Sequence, residues 1–488
     1  MDKLEVRFKK VKDTREKFLF AYQRTGRFRV AVCYPNTYYS GMSNLGFQSL
    51  FHRISLFHGL QAHRFFIERD GNLYSSDLQV RSLAGYDALF FSVSFELDYV
   101  NLLNMINRSG IPLLWNKRVE GRPLLVIGGV TVTANPLVLS PFADILYLGD
   151  MECGLGGILR SMVEYRFKRS DAFLEAVGQI EGAYVPAVHG ERPGAKAAVS
   201  AITDPAHTVI LTQNTEFANM FLIEIGRGCR NRCSFCMTRC VNRPLRSVDE
   251  QTVVDRVGRA SGYTRRVGLV APVLTDHKSL PGIVRRLNGM DMTVSFSSLR
   301  ADDFSRDIAL LLRENGQNTV TFAPETGSEE MRRRIGKELT DAALLDAVRT
   351  ALEYGIRRFR YYLMIGLPGE TADDIGAIGE LVSRTVQILT QGGAQLVLSI
   401  NPFVPKRGTG LESAPLYPLK YYERARALLR EDLTGLKGVR YRIESFRKLY
   451  LQFYLSIGNE SIGMLLGRCV EEDSFRGFTA ASAEVMGY

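Results

Sequence analysis

The 488-residue sequence predicts an α/β chain: an N-terminal doubly wound domain, a partial (β/α)6 barrel and a mainly helical C-terminal region. Three observations carry this reading. Apolar runs of strand length alternate with helix-period segments through the first ~150 residues, and each run ends in small or turn-forming residues. Six further strand candidates, again separated by helical patterns, follow from Phe221. Between the two series lies a Gly/Pro/Ala-rich stretch (193–198) that reads as a linker. The boundaries drawn are 1–165 for the first domain, 166–218 for a connector, 219–412 for the barrel and 413–488 for the helical region.

In order, FRVAVCY (28–34) reads as the first buried strand, closed by Pro35, Asn36 and Thr37 and followed by a helix over about 43–57. DALFFSVS (87–94) is the next strand, with a helix through Leu102, Leu103 and Ile106 behind it. PLLVIGG (123–129) and DILYLGD (144–150) complete the set, the latter feeding a helix past Leu155 and Ile158. In a doubly wound sheet the carboxyl ends of the strands line the ligand crevice. Thr37, Ser94, Gly128, Gly129 and Gly149 stand at those ends, where they either meet a ligand or simply turn the chain. The barrel strands are FLIEIGRGC (221–229), RVGLVAPV (266–273), MTVSFSSL (292–299), NTVTFAPE (318–325), RFRYYLMIG (358–366) and QLVLSINPF (395–403). TDAALLDAVRTALEYG puts Leu344, Leu345, Val348 and Leu352 on one helical face, and Tyr421, Tyr422, Ala425, Leu428 and Leu429 form a stripe in the C-terminal region.

A composition of 45% hydrophobic and 23% charged residues is that of a soluble globular protein. No stretch approaches the ~18 uninterrupted apolar residues of a membrane span, and MDKLEVRFKKVKDTREKF is too polar for a secretory leader. A cytoplasmic protein without a membrane span is expected. The net charge is +10, with basic runs at 7–15, 332–334 and 357–358. None has the density or aromatic interleaving of a nucleic-acid footprint. A solvated basic surface is the reading, with an anionic partner (RNA, an acidic cofactor or a phosphorylated substrate) as the alternative.

Four of the seven cysteines fall within twelve residues, in a pattern that reads as metal ligation rather than a disulfide scaffold. The segment is G-R-G-C-R-N-R-C-S-F-C, with Cys229, Cys233 and Cys236 at spacings of three and two intervening residues. Three soft thiolates so placed wrap one face of a four-iron, four-sulfur cluster and leave one iron open to a small molecule. Gly226 and Gly228 let the loop leave the strand sharply, and Arg227, Arg230 and Arg232 favour thiolates. A structural zinc site is the competing reading, but it needs four closed ligands, and no second CxxC pair exists. Cys240 is read as a helix residue outside the ligand set, because a fourth thiolate would close the site.

At these residues the chain resembles the radical S-adenosylmethionine (SAM) superfamily, whose motif is Cys-x3-Cys-x-aromatic-Cys with Phe235 at the aromatic position. APETGSEEMRRRIGK (323–337), YLMIGLPGET (362–371) and SINPFVPK (399–406) are similar to the later barrel strands of its methylthiotransferase-like branch. The resemblance implies SAM contacts at Phe235, Ser298, Glu325 and Val404. The glycine- and glutamate-bearing signature of the fifth strand is degenerate, reduced to Gly366 and GLPGET. The first domain resembles the Rossmann-like cobalamin-binding domains that precede many such barrels, through YPNTYYSGMSNLGFQSL, SVSFELDYVNLLNMI and GGVTVTANPLVLSPFADILYLGD. That resemblance implies cobalamin contacts at Thr37, Ser94, Gly128, Gly129 and Gly149. The Asp-x-His-x-x-Gly loop of many cobalamin proteins is absent: residues 36–41 read Asn-Thr-Tyr-Tyr-Ser-Gly, so cobalamin would bind without a histidine lower ligand.

The implied activity is reductive cleavage of SAM to a 5′-deoxyadenosyl radical, fed by an external flavodoxin- or ferredoxin-type donor and used for cobalamin-dependent C-methylation of an unactivated carbon. Alternatives are a methylthiotransferase-like modification of RNA or protein, a radical SAM reaction without cobalamin, and a non-enzymatic iron–sulfur sensor. Neither the substrate nor a catalytic acid or base can be read from the sequence.

Overall fold

The computed structural model describes residues 9–10, 15–68, 71–77, 82–118, 123–297 and 299–487. Ser298 and most of the basic run at 7–15 lie outside the described residues. The chain divides into two compact units: residues 1–200, 206–222 and 454–488 form one, and residues 201–205 and 223–453 the other.

In the first unit the strands are β1 (Phe28–Tyr34), β2 (Leu60–Ile67), β3 (Ala88–Ser92), β4 (Leu124–Gly128) and β5 (Ile145–Tyr147), with helices α1 (Leu45–Ser55), α2 (Asp98–Arg108) and α3 (Met151–Glu164). The five strands are parallel and ordered β2-β1-β3-β4-β5. This is a doubly wound order whose direction reverses between β1 and β3, where ligands of such sheets bind. Short strands extend both edges: Leu73–Ser75 runs antiparallel to β2, and Ala183–Tyr184 antiparallel to β5. β1, β3 and β4 are apolar along nearly their whole length because helices cover both faces. Phe47, Phe51 and Ile54 of α1 and Leu155, Ile158 and Leu159 of α3 fill one of those faces.

β2 departs from the sequence reading, which had no strand there. Its sequence LQAHRFFI carries Arg64 into the interior, where Glu16 (2.8 Å) and Asp77 (2.6 Å) hold the guanidinium and its Cζ lies 4.9 Å from the centroid of the Phe51 ring. Residues 454–488, read as part of a separate helical region, belong to this unit. Asn135 donates from Nδ2 to the carbonyls of Ser456 (3.1 Å) and Gly458 (2.8 Å), and Gly463 lies so close to Val138 that an added Cβ would stand 2.2 Å from its carbonyl oxygen.

The second unit contains the latter half of β6 (Phe221–Glu224), and all of β7 (Arg266–Val270), β8 (Thr293–Phe296), β9 (Thr319–Glu325), β10 (Arg358–Ile365), β11 (Gln395–Pro402) and β12 (Val439–Ile443). They form a three-stranded sheet, β6-β7-β8, and a four-stranded sheet, β9-β10-β11-β12; β7 and β8 pair in parallel, as do all neighbours from β9 to β12. The six predicted strands are present. β12 is a seventh, inside the region read as helical. Helices α4 (Asp341–Glu353), α5 (Ala372–Gln391) and α6 (Leu419–Leu433) follow β9, β10 and β11. Thr371 and Asp374 form a reciprocal capping box that fixes where α5 begins. No helix among the described residues is long and apolar enough to cross a membrane.

Candidate functional site

The cysteine loop leaves the barrel through Gly226–Arg227, which pairs antiparallel with Arg246–Ser247. At Gly228 φ is +88°, and an added Cβ would lie 2.6 Å from the Asn242 carbonyl oxygen and 2.7 Å from that of Pro244. Only glycine passes there. Asn231 then folds back, donating to Cys229 Sγ from its backbone (3.4 Å) and its side-chain amide (3.3 Å). Ser234 ties the loop to the segment after β9: its backbone N (2.8 Å) and Oγ (3.0 Å) both donate to the Ile335 carbonyl.

These constraints bring Cys229, Cys233 and Cys236 to the wall of one cavity of ≈ 180 Å³, together with Phe235, Glu325, Arg300 and Lys337. Among the described residues no three His, Cys, Asp or Glu side chains are grouped as a single ion would need. A cubane takes its thiolates at separate corners, and three thiols around a cavity suit that geometry rather than a mononuclear zinc site. Cys240 does not line the cavity; its thiol faces the Gly408 carbonyl. His277 is a core residue, its Nε2 2.8 Å from the Val248 carbonyl oxygen and its Nδ1 accepting from Ser279 N.

Glu325 reaches the cavity because β9 breaks register between Phe322 and Glu325 and because its φ is +71°, a conformation a non-glycine residue holds only where its surroundings enforce it. Its carboxylate pairs with Lys337 Nζ at 3.2 Å, both largely buried. Burial raises the Glu325 carboxyl above its usual range while Lys337 pulls it down. Burial likewise raises the Cys233 thiol, against the lowering effect of Lys337. Of the other expected SAM contacts, Phe235 also packs in an apolar cluster with Met331, Ile335, Leu367 and Phe403. Val404 follows Phe403 and is buried but does not line the cavity. Ser298 lies outside the described residues, although Leu299 and Arg300 line the cavity. Lys337 and Arg300 were not singled out from the sequence; their signal, a cation close behind a strand end, is too common to select them.

Glu370 was also missed. It accepts from Gly366 N (2.5 Å) and Tyr421 Oη (2.6 Å), locking the turn after β10. Burial raises this carboxyl from 4.5 to about 7. A raised acid binds its proton more tightly folded than unfolded, so its contribution to stability is full below pH 4.5 and falls as pH rises through about 7. Glu370→Gln is expected to remove about 3 kcal/mol of that pH dependence, read as urea stability at pH 5 and pH 8. Equal slopes in both proteins would contradict the assignment.

In the first unit, a mainly apolar cavity of ≈ 330 Å³ is lined by Ser94, Gly128, Gly129 and Gly149, four of the five residues expected there, with Asn44, Tyr147 and Leu155 among the others. Asn44 caps α1 and donates to Ser94 Oγ at 3.0 Å. Thr37 stands apart: its Oγ1 accepts from Ser40 N and caps the short helix Tyr38–Met42. Gly129 (φ +127°) and Gly149 (φ +103°) are demanded by backbone packing, since an added Cβ would lie 2.1 Å from the Val93 oxygen and 2.0 Å from the Ala197 oxygen. Gly128 is different, because its added Cβ meets nothing closer than 3.6 Å. No histidine lines the cavity.

A family model described as the radical SAM superfamily matches residues 223–382, the span that holds the cysteine cavity. The chain is a radical SAM protein. A second model, described as the N-terminal region of radical SAM proteins, matches residues 46–186. The radical SAM chain is 26% identical over 449 residues to the uncharacterized protein MJ0966 of Methanocaldococcus jannaschii, covering 90% of each. It is 25% identical to the ribosomal protein uS12 methylthiotransferase RimO of Trichlorobacter lovleyi over 33% of this chain and 39% of that protein. Among solved structures, the radical SAM methyltransferase TsrM from Kitasatospora setae shares its fold at a TM-score of 0.57, with 12% identity over 94% of this chain and 99% of TsrM. The α/β architecture inferred from the sequence, a doubly wound domain before a radical SAM barrel, is thereby shown, and the chain is an enzyme of that superfamily.

Proposed function

We propose that this enzyme cleaves SAM reductively at a four-iron, four-sulfur cluster held by Cys229, Cys233 and Cys236, and that it methylates a carbon of its substrate with cobalamin bound at the N-terminal sheet. The observation that carries the reading is the convergence of the three thiols, Phe235 and Glu325 on one cavity behind a glycine that admits no side chain. Such a cluster supplies an open iron for SAM and the electron that breaks its sulfur–carbon bond, and cobalamin supplies a methyl carrier. The chain's own residues do the rest. Asn231 orients Cys229, and Lys337 and Arg300 counter the effect of burial on Cys233. Lys337 lets Glu325 stay ionised in a dry wall, where it can meet the polar groups of SAM. The apolar cluster behind Phe235 keeps water from a reactive intermediate. Ser298 and Val404 remain the further SAM contacts of this reading, and an external flavodoxin or ferredoxin its electron donor.

Cobalamin fits the first unit on two counts: the cavity opens at the carboxyl ends of the parallel strands β3, β4 and β5, and Gly128 leaves room at its wall. The cavity takes a portion of so large a cofactor. With no histidine at the wall, cobalamin would bind without an imidazole ligand from this site. The fold shared with TsrM supports methyl transfer. The likeness to RimO supports sulfur insertion as a second reading, but in the first unit Cys33 is buried within β1, Cys153 lies in α3 and Cys469 is buried in the helix Glu460–Glu471, leaving no second cysteine triad there.

Anaerobic purification with cobalamin supplied, followed by metal analysis, separates the two. About four irons and one cobalt per chain are expected for methyl transfer. About twice that iron and no cobalt would favour sulfur insertion.

A further inference from the structure

The four-stranded barrel sheet carries a second concavity that the cysteine site does not use. Along β10, Phe359, Tyr361, Leu363 and Ile365 are buried, whereas Arg358 and Arg360 alternate with them on the open face. Strand register sets Thr319, Arg358 and Gln395 in one row, and Thr321, Arg360, Val397 and Arg440 in the next. Thr319, Arg358, Arg360, Gln395, Val397 and Arg440 line a cavity of ≈ 480 Å³ with no carboxylate in its wall. Arg360 and Arg440 flank Val397 from either side, and Arg358 lies two residues before Arg360 on the same face.

Several other arginines of this chain are paired with acids, as in Arg230–Asp276, Arg300–Asp302 and Arg332–Asp341. Among the described residues, no acid pairs with the side chain of Arg358, Arg360 or Arg440. Three like charges within adjacent positions of a sheet repel one another, so their gathering in a concave wall calls for an anion. The concavity shares its face of β9 with the cysteine cavity: Thr319 lines the first, and Ala323, four residues on, lines the second. The two points are about 13 Å apart along the strand.

We propose that Arg358, Arg360 and Arg440 anchor a phosphate or diphosphate group of a small phosphorylated substrate, whose reacting carbon extends along the sheet toward the cysteine cavity. The anion class follows from the donor set: three planar forks offer more hydrogen bonds than the two oxygens of one carboxylate can take, and they match the oxygens of a phosphate or diphosphate. Arg442, two residues beyond Arg440 on the same face of β12, is paired with Glu444 at 2.9 Å, so the set without an acid partner stops at three residues in one hollow, unlike the extended basic track that a nucleic-acid backbone requires. The role in turnover rests on the radical SAM reading; the anion site itself does not.

Titration of the reconstituted full-length protein with inorganic pyrophosphate tests it. Arg360→Gln/Arg440→Gln is expected to weaken binding at least tenfold, and Arg360→Lys/Arg440→Lys to recover part of the loss. Arg285→Gln/Arg313→Gln, which removes the same charge from exposed positions of other helices, is expected to bind as the parent does. Equal weakening by both glutamine pairs, or no pyrophosphate binding by the parent, would overturn the proposal. So would a single-stranded RNA 16-mer that binds the parent more tightly than pyrophosphate and loses affinity in Arg360→Gln/Arg440→Gln. Failure of the radical reading is scored separately, as absent SAM cleavage by the parent protein, and leaves the pyrophosphate result interpretable.

Discussion

Serine in place of Cys229, Cys233 or Cys236 is expected to drop iron from about four per chain to below one and SAM cleavage to the level of a no-enzyme control. An alcohol oxygen is a hard, weakly acidic donor where the cluster needs soft, deprotonated sulfur. The three thiols share one cavity wall, so loss of any one breaks the same site. Cys240→Ser is the matched control. Cys240 lies in the short helix Met237–Val241 with its thiol against the Gly408 carbonyl, outside the wall, and its replacement is expected to leave iron and cleavage unchanged. Iron analysis and deoxyadenosine release, read beside a thermal melt, distinguish a lost ligand from a lost fold. Normal cleavage by any one of the three triad variants would remove the cluster from the account.

The second large effect separates two adjacent glycines. Gly129→Ala is expected to destabilise the first unit by about 3 kcal/mol or more, because φ is +127° and the new methyl would lie 2.1 Å from the Val93 oxygen. Gly128→Leu is expected to fold, since its first added atom meets Tyr147 at an ordinary 3.6 Å, but to fill the cavity and abolish cobalamin uptake. Thermal unfolding should therefore shift for Gly129→Ala, and the cobalamin absorption of the purified protein should vanish for Gly128→Leu. Undiminished cobalt in Gly128→Leu would place the cofactor elsewhere or exclude it.

The contrast between those two glycines marks how far the sequence could be read. Strand ends were legible because buried parallel strands are apolar throughout and stop abruptly: β1 and all six barrel strands lie where their composition put them. β2 was not legible, since Gln61, His63 and Arg64 break its apolar run, and only a tertiary arrangement, Glu16 and Asp77 around a fully buried guanidinium, makes that sequence a strand. β12 was hidden for the opposite reason: VRYRI sits at a sheet edge, is exposed along most of its length and carries no apolar signature.

Site chemistry divided in the same way. Cysteine spacing is local, so the triad was visible in a dozen residues. The Glu325–Lys337 pair, the Glu370 lock and the three barrel arginines depend on register between strands and on turns of positive φ, which no single segment encodes. Gly129 and Gly149 stand at strand ends and line the cavity, yet their conformations answer first to neighbouring backbone.

Every step of the proposed chemistry requires an iron left open to SAM by a three-thiolate loop. Electron paramagnetic resonance of the dithionite-reduced protein, recorded with and without SAM, tests it most directly. A reduced-cluster signal whose shape changes when SAM is added is expected; an identical spectrum in both samples would contradict an iron open to SAM.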